Sequence, residues 1–202
     1  MSKGLLGCLA VVVVIAIIAV VAFAGTYNRL VGLQQAVDAQ WAQVENVYQR
    51  RADLVPNLVE TVKGAAAFEK DTFTAVAEAR SRVGQVGGGA LQNVVNDPQA
   101  FQKFQEAQAG LSSALSRLMV VVEKYPELKA NQNFLGLQSQ LESTENRISV
   151  ERMRFNEKAQ AFNTVRMSLP TVFIAPFFGS RFNEKPYFKA QEGAEKAPQV
   201  KF

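Results

Sequence analysis

The sequence predicts an all-α protein in which an N-terminal transmembrane helix is followed by several long amphipathic helices. Its 202 residues open with a 20-residue apolar run, and beyond this run apolar residues recur every three or four positions. That recurrence is the period of an α-helix with one buried face. Before Leu169 no segment shows the alternating pattern, bounded by turns, that is typical of β-strands.

The apolar run begins at Leu5 and ends at Ala24, after a short segment of residues 1–4. A helix of this length rises roughly 30 Å, which matches the hydrocarbon thickness of a bilayer. The length favours an uncleaved anchor over a cleavable signal peptide, so the lipid bilayer is the first predicted partner. Cys8 loosely fits the leader pattern of a lipoprotein, but its surroundings favour a small apolar residue within lipid.

Charge near the run predicts its orientation, because basic residues beside a span tend to stay cytoplasmic. Lys3 precedes the run and Arg29 alone lies within 20 residues after it. We therefore expect a single-pass protein of the cell membrane with its body on the extracytoplasmic side. The chain carries 22 basic and 18 acidic side chains without a block of five basic residues, so nucleic acid is not a predicted partner.

The first long amphipathic helix is predicted from Leu30 onward, where one apolar stripe continues to Ala66. The stripe keeps its phase across Pro56, which predicts a kinked helix; a true break at the proline is the alternative. No loop-like residues separate the anchor from Tyr27, so the sequence allows the anchor and this helix to be continuous. The stripe consists of Leu30, Leu33, Val37, Trp41, Val44, Tyr48, Ala52, Val55, Val59, Val62 and Ala66.

Two more helices have recognisable starts. Asp71 is the expected N-cap of a second helix, which is expected to end at Gly84. The three glycines at 87–89 predict a plain loop, because the lysine-serine pair of a phosphate-binding loop does not follow them. Asp97 and Pro98 predict the start of a third helix, since Asp97 can cap the first amides and a proline needs no N–H there.

The third helix carries an apolar seam from Phe101 to Val122 in which Gln108 is the one polar residue, and Pro126 follows its end. A fourth helix is predicted over roughly residues 132–166, because an apolar residue stands at every seventh position. Such a seam packs against neighbouring helices. Its members are Phe134, Leu141, Ile148, Phe155 and Phe162.

The segment at 169–179 is apolar but contains two prolines, so it is too short and too interrupted for a second span. Two uses stay open: it covers the end of the helical body, or it exposes an apolar patch to a membrane or a partner. Phe173, Phe177 and Phe178 are its candidate contact residues. The helical body is expected to span residues 26–188, and residues 189–202 are expected to be a disordered tail.

Composition excludes much of enzyme chemistry. With no histidine and one cysteine, the chain has no histidine base, no histidine metal ligand and no internal disulfide, so we predict no cofactor and no metal site. Paired carboxylates are the remaining catalytic option, in Glu142 with Glu145 or Glu184 with Glu192. Neither pair lies in an apolar setting that would separate its two pKa values, so we predict no enzymatic activity.

The stretch from Tyr48 to Gly64, YQRRADLVPNLVETVKG, together with the Tyr-Asn pair at 27–28 and the Trp at 41, resembles the LemA family. The similarity extends more loosely to Phe188. It implies a bacterial membrane protein with one span and an antiparallel up-and-down bundle of four long helices, and it brings no catalytic residue. Some members carry a lipid-attachment cysteine directly before the Tyr-Asn pair, where this chain has Gly25-Thr26. The motif residues are Tyr27, Asn28, Trp41, Tyr48, Arg50, Arg51, Asp53, Pro56 and Asn57.

Within this motif, Arg50 and Asp53 are three residues apart, so the guanidinium can hold the carboxylate close to the turn that Pro56 disturbs. Asn57 can offer its amide to a carbonyl that the proline leaves free. Our structural hypothesis is that Arg50, Asp53 and Asn57 stabilise the kink, with Arg51 facing elsewhere. A partner-binding spot is the functional alternative.

These observations favour a membrane-anchored scaffold or interaction module, with an unidentified protein partner and with self-association left open. A sensor stalk that couples the bilayer to a partner is the alternative. An envelope hydrolase that uses paired carboxylates is the third hypothesis.

Overall fold

The computed structural model describes residues 3–64, 69–87 and 91–189. This part of the chain is almost entirely helical and contains no strand, so the predicted all-α class is confirmed. The helices are α1 (Lys3–Lys63), α2 (Lys70–Gly87), α3 (Pro98–Val122), α4 (Pro126–Lys129), α5 (Gln132–Met167) and α6 (Thr171–Ile174). Short 3-10 turns lie at Leu91–Asn96, Ala175–Phe178 and Ser180–Phe182.

Helix α1 is one continuous helix of 61 residues, about 90 Å long. Its first part is apolar and exposed from Leu9 to Phe23, and it is long enough to cross a membrane. Its buried face begins at Leu30. Pro56 lies inside the helix and does not break it, so the predicted alternative of a break is wrong. The predicted stripe member Ala66 lies outside the described residues.

The body is built from two main helix pairs, with α1 packed on α5 and α2 packed on α3. Its core divides into two apolar clusters. The cluster nearer the apolar run is aromatic: the ring of Trp41 lies 5.1–6.1 Å, between centroids, from Phe101, Phe104, Phe155 and Phe188. The second cluster lies farther along α1, around Val55 and Val62. The predicted seam of α5 has five members at seven-residue spacing; four of them are buried and Leu141 is half-buried.

Local capping explains which predicted helix ends are right. Asp97 accepts hydrogen bonds from the amides of Gln99 at 2.9 Å and Ala100 at 3.3 Å, and α3 begins at Pro98 as predicted. For α2 two predictions are wrong. The helix begins at Lys70, which places Asp71 in the first turn, and it continues past Gly84 to Gly87. The side of Gly84 is open to solvent, so the glycine there interrupts no packing.

The predicted glycine loop and tail are only partly within the described residues. Gly87 ends α2, whereas residues 88–90 and 190–202 lie outside the described part. After α5 the chain turns through α6 and two 3-10 turns, and residues 183–189 then run without helix along α5.

Candidate functional site

Arg51 is the motif residue at the centre of the body. Its side chain is 2% exposed, and its guanidinium joins α1 to both α3 and α5. One terminal nitrogen, Nη1, donates to Glu145 Oε1 at 2.7 Å and to Ser112 Oγ at 2.9 Å. The other, Nη2, donates to the main-chain oxygen of Gln108 at 3.3 Å and to its side-chain oxygen.

This network explains the polar residue that interrupts the seam of α3. A buried guanidinium has lost its hydration and needs several acceptors in fixed positions. Gln108 supplies two of them, and Glu145 supplies the opposite charge while its side chain stays 43% exposed. The ring of Tyr48 adds a cation–π contact, with the guanidinium carbon of Arg51 5.1 Å from the ring centroid.

The structure does not form the predicted contact between Arg50 and Asp53. Both side chains are exposed, and the Asp53 carboxylate accepts a hydrogen bond from Gln49 Nε2 at 2.8 Å. One residue along a helix turns the side chain by 100°, so Arg51 rather than Arg50 falls on the buried face. The sequence did carry this signal, because Arg51 lies three residues after Tyr48 in the apolar stripe.

Pro56 acts on a neighbouring helix rather than on Asn57. A proline inside a helix has no N–H to donate, so the carbonyl of Ala52, four residues earlier, loses its helical partner. Arg80 of α2 donates its Nε–H to this oxygen at 3.1 Å. The Ala52 carbonyl is thus bound by Arg80 and not, as predicted, by the Asn57 amide; Asn57 is exposed, and its main-chain carbonyl accepts from the hydroxyl of Thr61 at 2.8 Å. The proline turns one carbonyl of α1 into an acceptor for α2.

Two cavities adjoin Tyr48. A crevice of about 170 Å³ also touches Arg51, Glu145 and Arg152, and a wider groove of about 630 Å³ lies between α1, α2 and α3. Burial raises the pKa of the Tyr48 hydroxyl, against the opposing effect of the nearby arginines. Burial also raises the pKa of Glu45 at the rim of the groove, although a hydrogen bond from the Trp41 indole opposes it.

Residues 183–189, here called the strap, are held on α5 by two asparagines. Asn163 donates to the carbonyl of Lys185 at 2.9 Å and accepts from its amide at 2.8 Å. Asn156, two turns earlier, makes the same pair of bonds with Phe188, both at 2.9 Å. Each side-chain amide thus donates one hydrogen bond to the backbone of the strap and accepts one from it, as a neighbouring β-strand would. The sequence pattern does not predict this contact, because Asn156 and Asn163 lie in a helix far along the chain from the strap.

Lys185 of the strap is a buried cation. Its ammonium donates to the side chain of Asn96 and, at 3.0 Å, to the carbonyl of Arg181, and it lies 4.6 Å from the ring centroid of Phe162. Burial lowers the pKa of Lys185 to about 8. The charge of Asp38 opposes this shift, while those of Arg166 and Arg181 add to it.

The segment after α5 lies beside the end of the apolar run, and it both packs and exposes apolar residues. The ring of Phe178 lies 5.0 Å from that of Phe23 and 4.9 Å from that of Tyr27, between centroids. Phe173 and Phe177 are exposed. Phe178 therefore packs as the first predicted use requires, whereas Phe173 and Phe177 are exposed, and the contact predicted for them with a membrane or a partner stays a prediction. Tyr27 of the motif thus contacts this segment through Phe178, and Asn28 beside it is exposed to solvent.

The candidate catalytic carboxylates do not share one environment. Glu145 pairs with Arg51, whereas Glu142 is exposed and accepts from Gln138 Nε2 at 3.0 Å. Glu184 is exposed, and its proposed partner Glu192 lies outside the described residues. Within the described part of the chain, no three side chains of the types His, Cys, Asp and Glu are grouped as metal ligands.

Residues 40–202 match the LemA family. Magnetosome protein MamQ of Magnetospirillum gryphiswaldense is 28% identical over 178 residues, which cover 79% of this chain. Two MamQ proteins of Paramagnetospirillum magneticum show the same identity and coverage. The chain spans 65% of the length of these relatives.

Proposed function

This chain belongs to the LemA family, and we propose on that basis that it is a membrane-anchored scaffold module that acts through contacts and not through catalysis. In this role the apolar run spans the cell membrane once and holds the body at its extracytoplasmic surface. The helical faces of the body then bind a protein partner. The relatives are described as magnetosome proteins, and we do not extend the magnetosome association to this chain.

One observation carries the proposal: a single helix contains both the apolar run and the buried face of the body. α1 passes from exposed Phe23 to fully buried Leu30 without a break. The body is then attached to the bilayer by a helix whose backbone hydrogen bonds run from one to the other, rather than by a flexible linker. A scaffold benefits from such an attachment, because it presents its faces at a constant height above the bilayer.

The outer faces of the body offer docking positions that the fold itself does not use. Val150 and Met153 of α5 are exposed on the side away from the core. Charged side chains surround them, including Glu151 and Arg154, which form an ion pair at 2.8 Å. A few exposed apolar residues within a polar helix face suit a reversible protein contact.

Photo-cross-linking in intact membranes tests this proposal. A benzophenone side chain replaces Met153 on the outer face, and the control places it at exposed Arg117 of α3. We expect a discrete protein adduct at position 153 and a weaker or different one at position 117. If both positions yield only monomer, the scaffold proposal is contradicted.

The same helix supports the sensor stalk as a second candidate, because a continuous helix also transmits rotation or tilt from the bilayer to the body. Insertion of one glycine beside Gly25 would turn the body by roughly 100° relative to the span. For a sensor we expect signalling to a partner to be lost while the body stays folded, as reported by Trp41 fluorescence. For a plain scaffold we expect the cross-links at position 153 to persist.

A further inference from the structure

The exposed apolar residues after α5 lie at the level where the apolar run ends. Phe178 packs on Phe23 and Tyr27, and Leu169 lines a small cleft together with Gly25 of α1. Residues 23–27 are where the hydrocarbon core meets the lipid headgroups if the run spans the bilayer, as the proposed function holds. The segment at 169–178 is therefore next to the membrane surface by its place in the fold.

The exposed and buried residues of this segment separate into two sets. Thr171 and Ala175 are buried against the body. Leu169, Phe173 and Phe177 form what is here called the apolar patch, and they are 76%, 70% and 84% exposed. Three large side chains with this exposure within nine residues of the chain are unfavourable in water and favourable at the boundary between headgroups and acyl chains.

The two segments that meet at the patch carry only basic charge, and the next acidic residues along them are Asp38 and Glu184. No acidic residue occurs at 3–37 or at 163–183, which are the two segments that meet here. Arg29 and Arg181 are exposed in these segments. Basic side chains beside an apolar patch are attracted to an anionic lipid surface, whereas a polar protein face offers no comparable match to both features.

We propose that the body makes a second, non-spanning contact with the lipid bilayer, in which Leu169, Phe173 and Phe177 insert into the interface beside the span. The occupant is the same bilayer that holds the apolar run, because the patch is continuous with the end of that run. This inference rests on the proposed function, since it needs the run to lie in the membrane.

Spin-label accessibility in vesicles of phosphatidylcholine and phosphatidylglycerol tests it with the full chain. Each variant carries Cys8→Ser and one new labelled cysteine: Phe177→Cys in the patch, Phe23→Cys in the run, and Val120→Cys on α3. Val120 is a matched control, because it is 63% exposed but lies beside the second apolar cluster, far from the run. We expect the label at 177 to collide with oxygen severalfold more often than with a water-soluble nickel chelate, as at 23, and the label at 120 to do the reverse.

Other outcomes overturn the inference in distinguishable ways. A label at 177 that behaves like the one at 120 shows that the patch is in water, while lipid-like behaviour at 23 would leave the anchor intact. A label at 177 shielded from both reagents shows that protein, such as a second copy, covers the patch. Free access of the nickel chelate to position 23 contradicts the spanning anchor and, with it, the second contact.

Discussion

Adjacent arginines in α1 have opposite environments, and the difference defines the polar centre of the body. Arg51, Gln108 and Glu145 lie at the boundary between the two apolar clusters, whereas Arg50 is in solvent. A polar layer of this kind tolerates only one alignment of the three helices, because a shift leaves its members without partners. We therefore interpret the network as setting the register of α1, α3 and α5.

Replacing Arg51 with alanine should lower the free energy of unfolding by about 2–4 kcal/mol, since it leaves a cavity and an unsatisfied Gln108 side chain. Arg50→Ala is the matched control and should change it by less than about 0.5 kcal/mol. Urea unfolding in detergent micelles, followed by the fluorescence of Trp41, measures both. Equal effects of the two substitutions would contradict the assigned network.

The buried lysine of the strap predicts a pH dependence of stability. The pKa of Lys185 is about 8 in the folded chain and 10.5 without burial. Between these values the unfolded chain binds more protons than the folded chain, so the free energy of unfolding should rise with pH. The limiting slope for one group is about 1.4 kcal/mol per pH unit.

Unfolding curves of the unmodified chain and of Lys185→Met between pH 7.5 and about 10 measure this effect. The difference in stability between the two should change in favour of the unmodified chain as pH rises. Above about pH 10 the raised pKa of Tyr48 acts in the opposite direction in both proteins, so the difference isolates the lysine. A pH-independent difference would show that Lys185 keeps an ordinary pKa.

At the scale of elements, Pro56 couples α1 to α2 through the carbonyl of Ala52. Pro56→Ala restores an N–H that can bond this carbonyl, and it removes the penalty of a proline inside a helix, about 3 kcal/mol relative to alanine. We expect Pro56→Ala to stabilise the body by about 1–3 kcal/mol. Arg80→Leu should destabilise the unmodified chain by about 1 kcal/mol.

A double-mutant cycle tests this coupling, because the two effects should not add. In the Pro56→Ala background, Arg80→Leu should have less than half its effect in the unmodified chain. Additive effects would mean that Arg80 contributes the same with or without the proline, which would contradict the coupling through the Ala52 carbonyl.

The features that sequence predicts best are those with local causes. The start of α3 depends on Asp97 and Pro98 alone, and the predicted start is right. The predicted end of α2 at Gly84 is wrong. A solvent-exposed glycine lowers helix stability by only about 1 kcal/mol relative to alanine, so the helix continues through it. The partners of Arg51 and the strap's bonds to Asn163 depend on which helices become neighbours, and a single sequence does not show that.

At the scale of the whole molecule, one helix, α1, connects the apolar run to the polar layer of the body. α1 contributes the apolar run, one side of the core and the Arg51 side chain. The segment after α5 returns to the same end, where Phe178 packs on Phe23 and Tyr27 of α1. If the run spans the bilayer as proposed, this arrangement makes the height of the body above the bilayer a property of the fold.

The most direct test of this account is amide hydrogen exchange across residues 22–35 of the full chain in lipid nanodiscs. If the span and the body share one helix, the amides from Gly25 to Leu30 should be protected at least as well as exposed turns farther along α1. Exchange at those amides as fast as in an unfolded peptide would reveal a flexible joint, and it would contradict the claim that the bilayer and the body are rigidly connected.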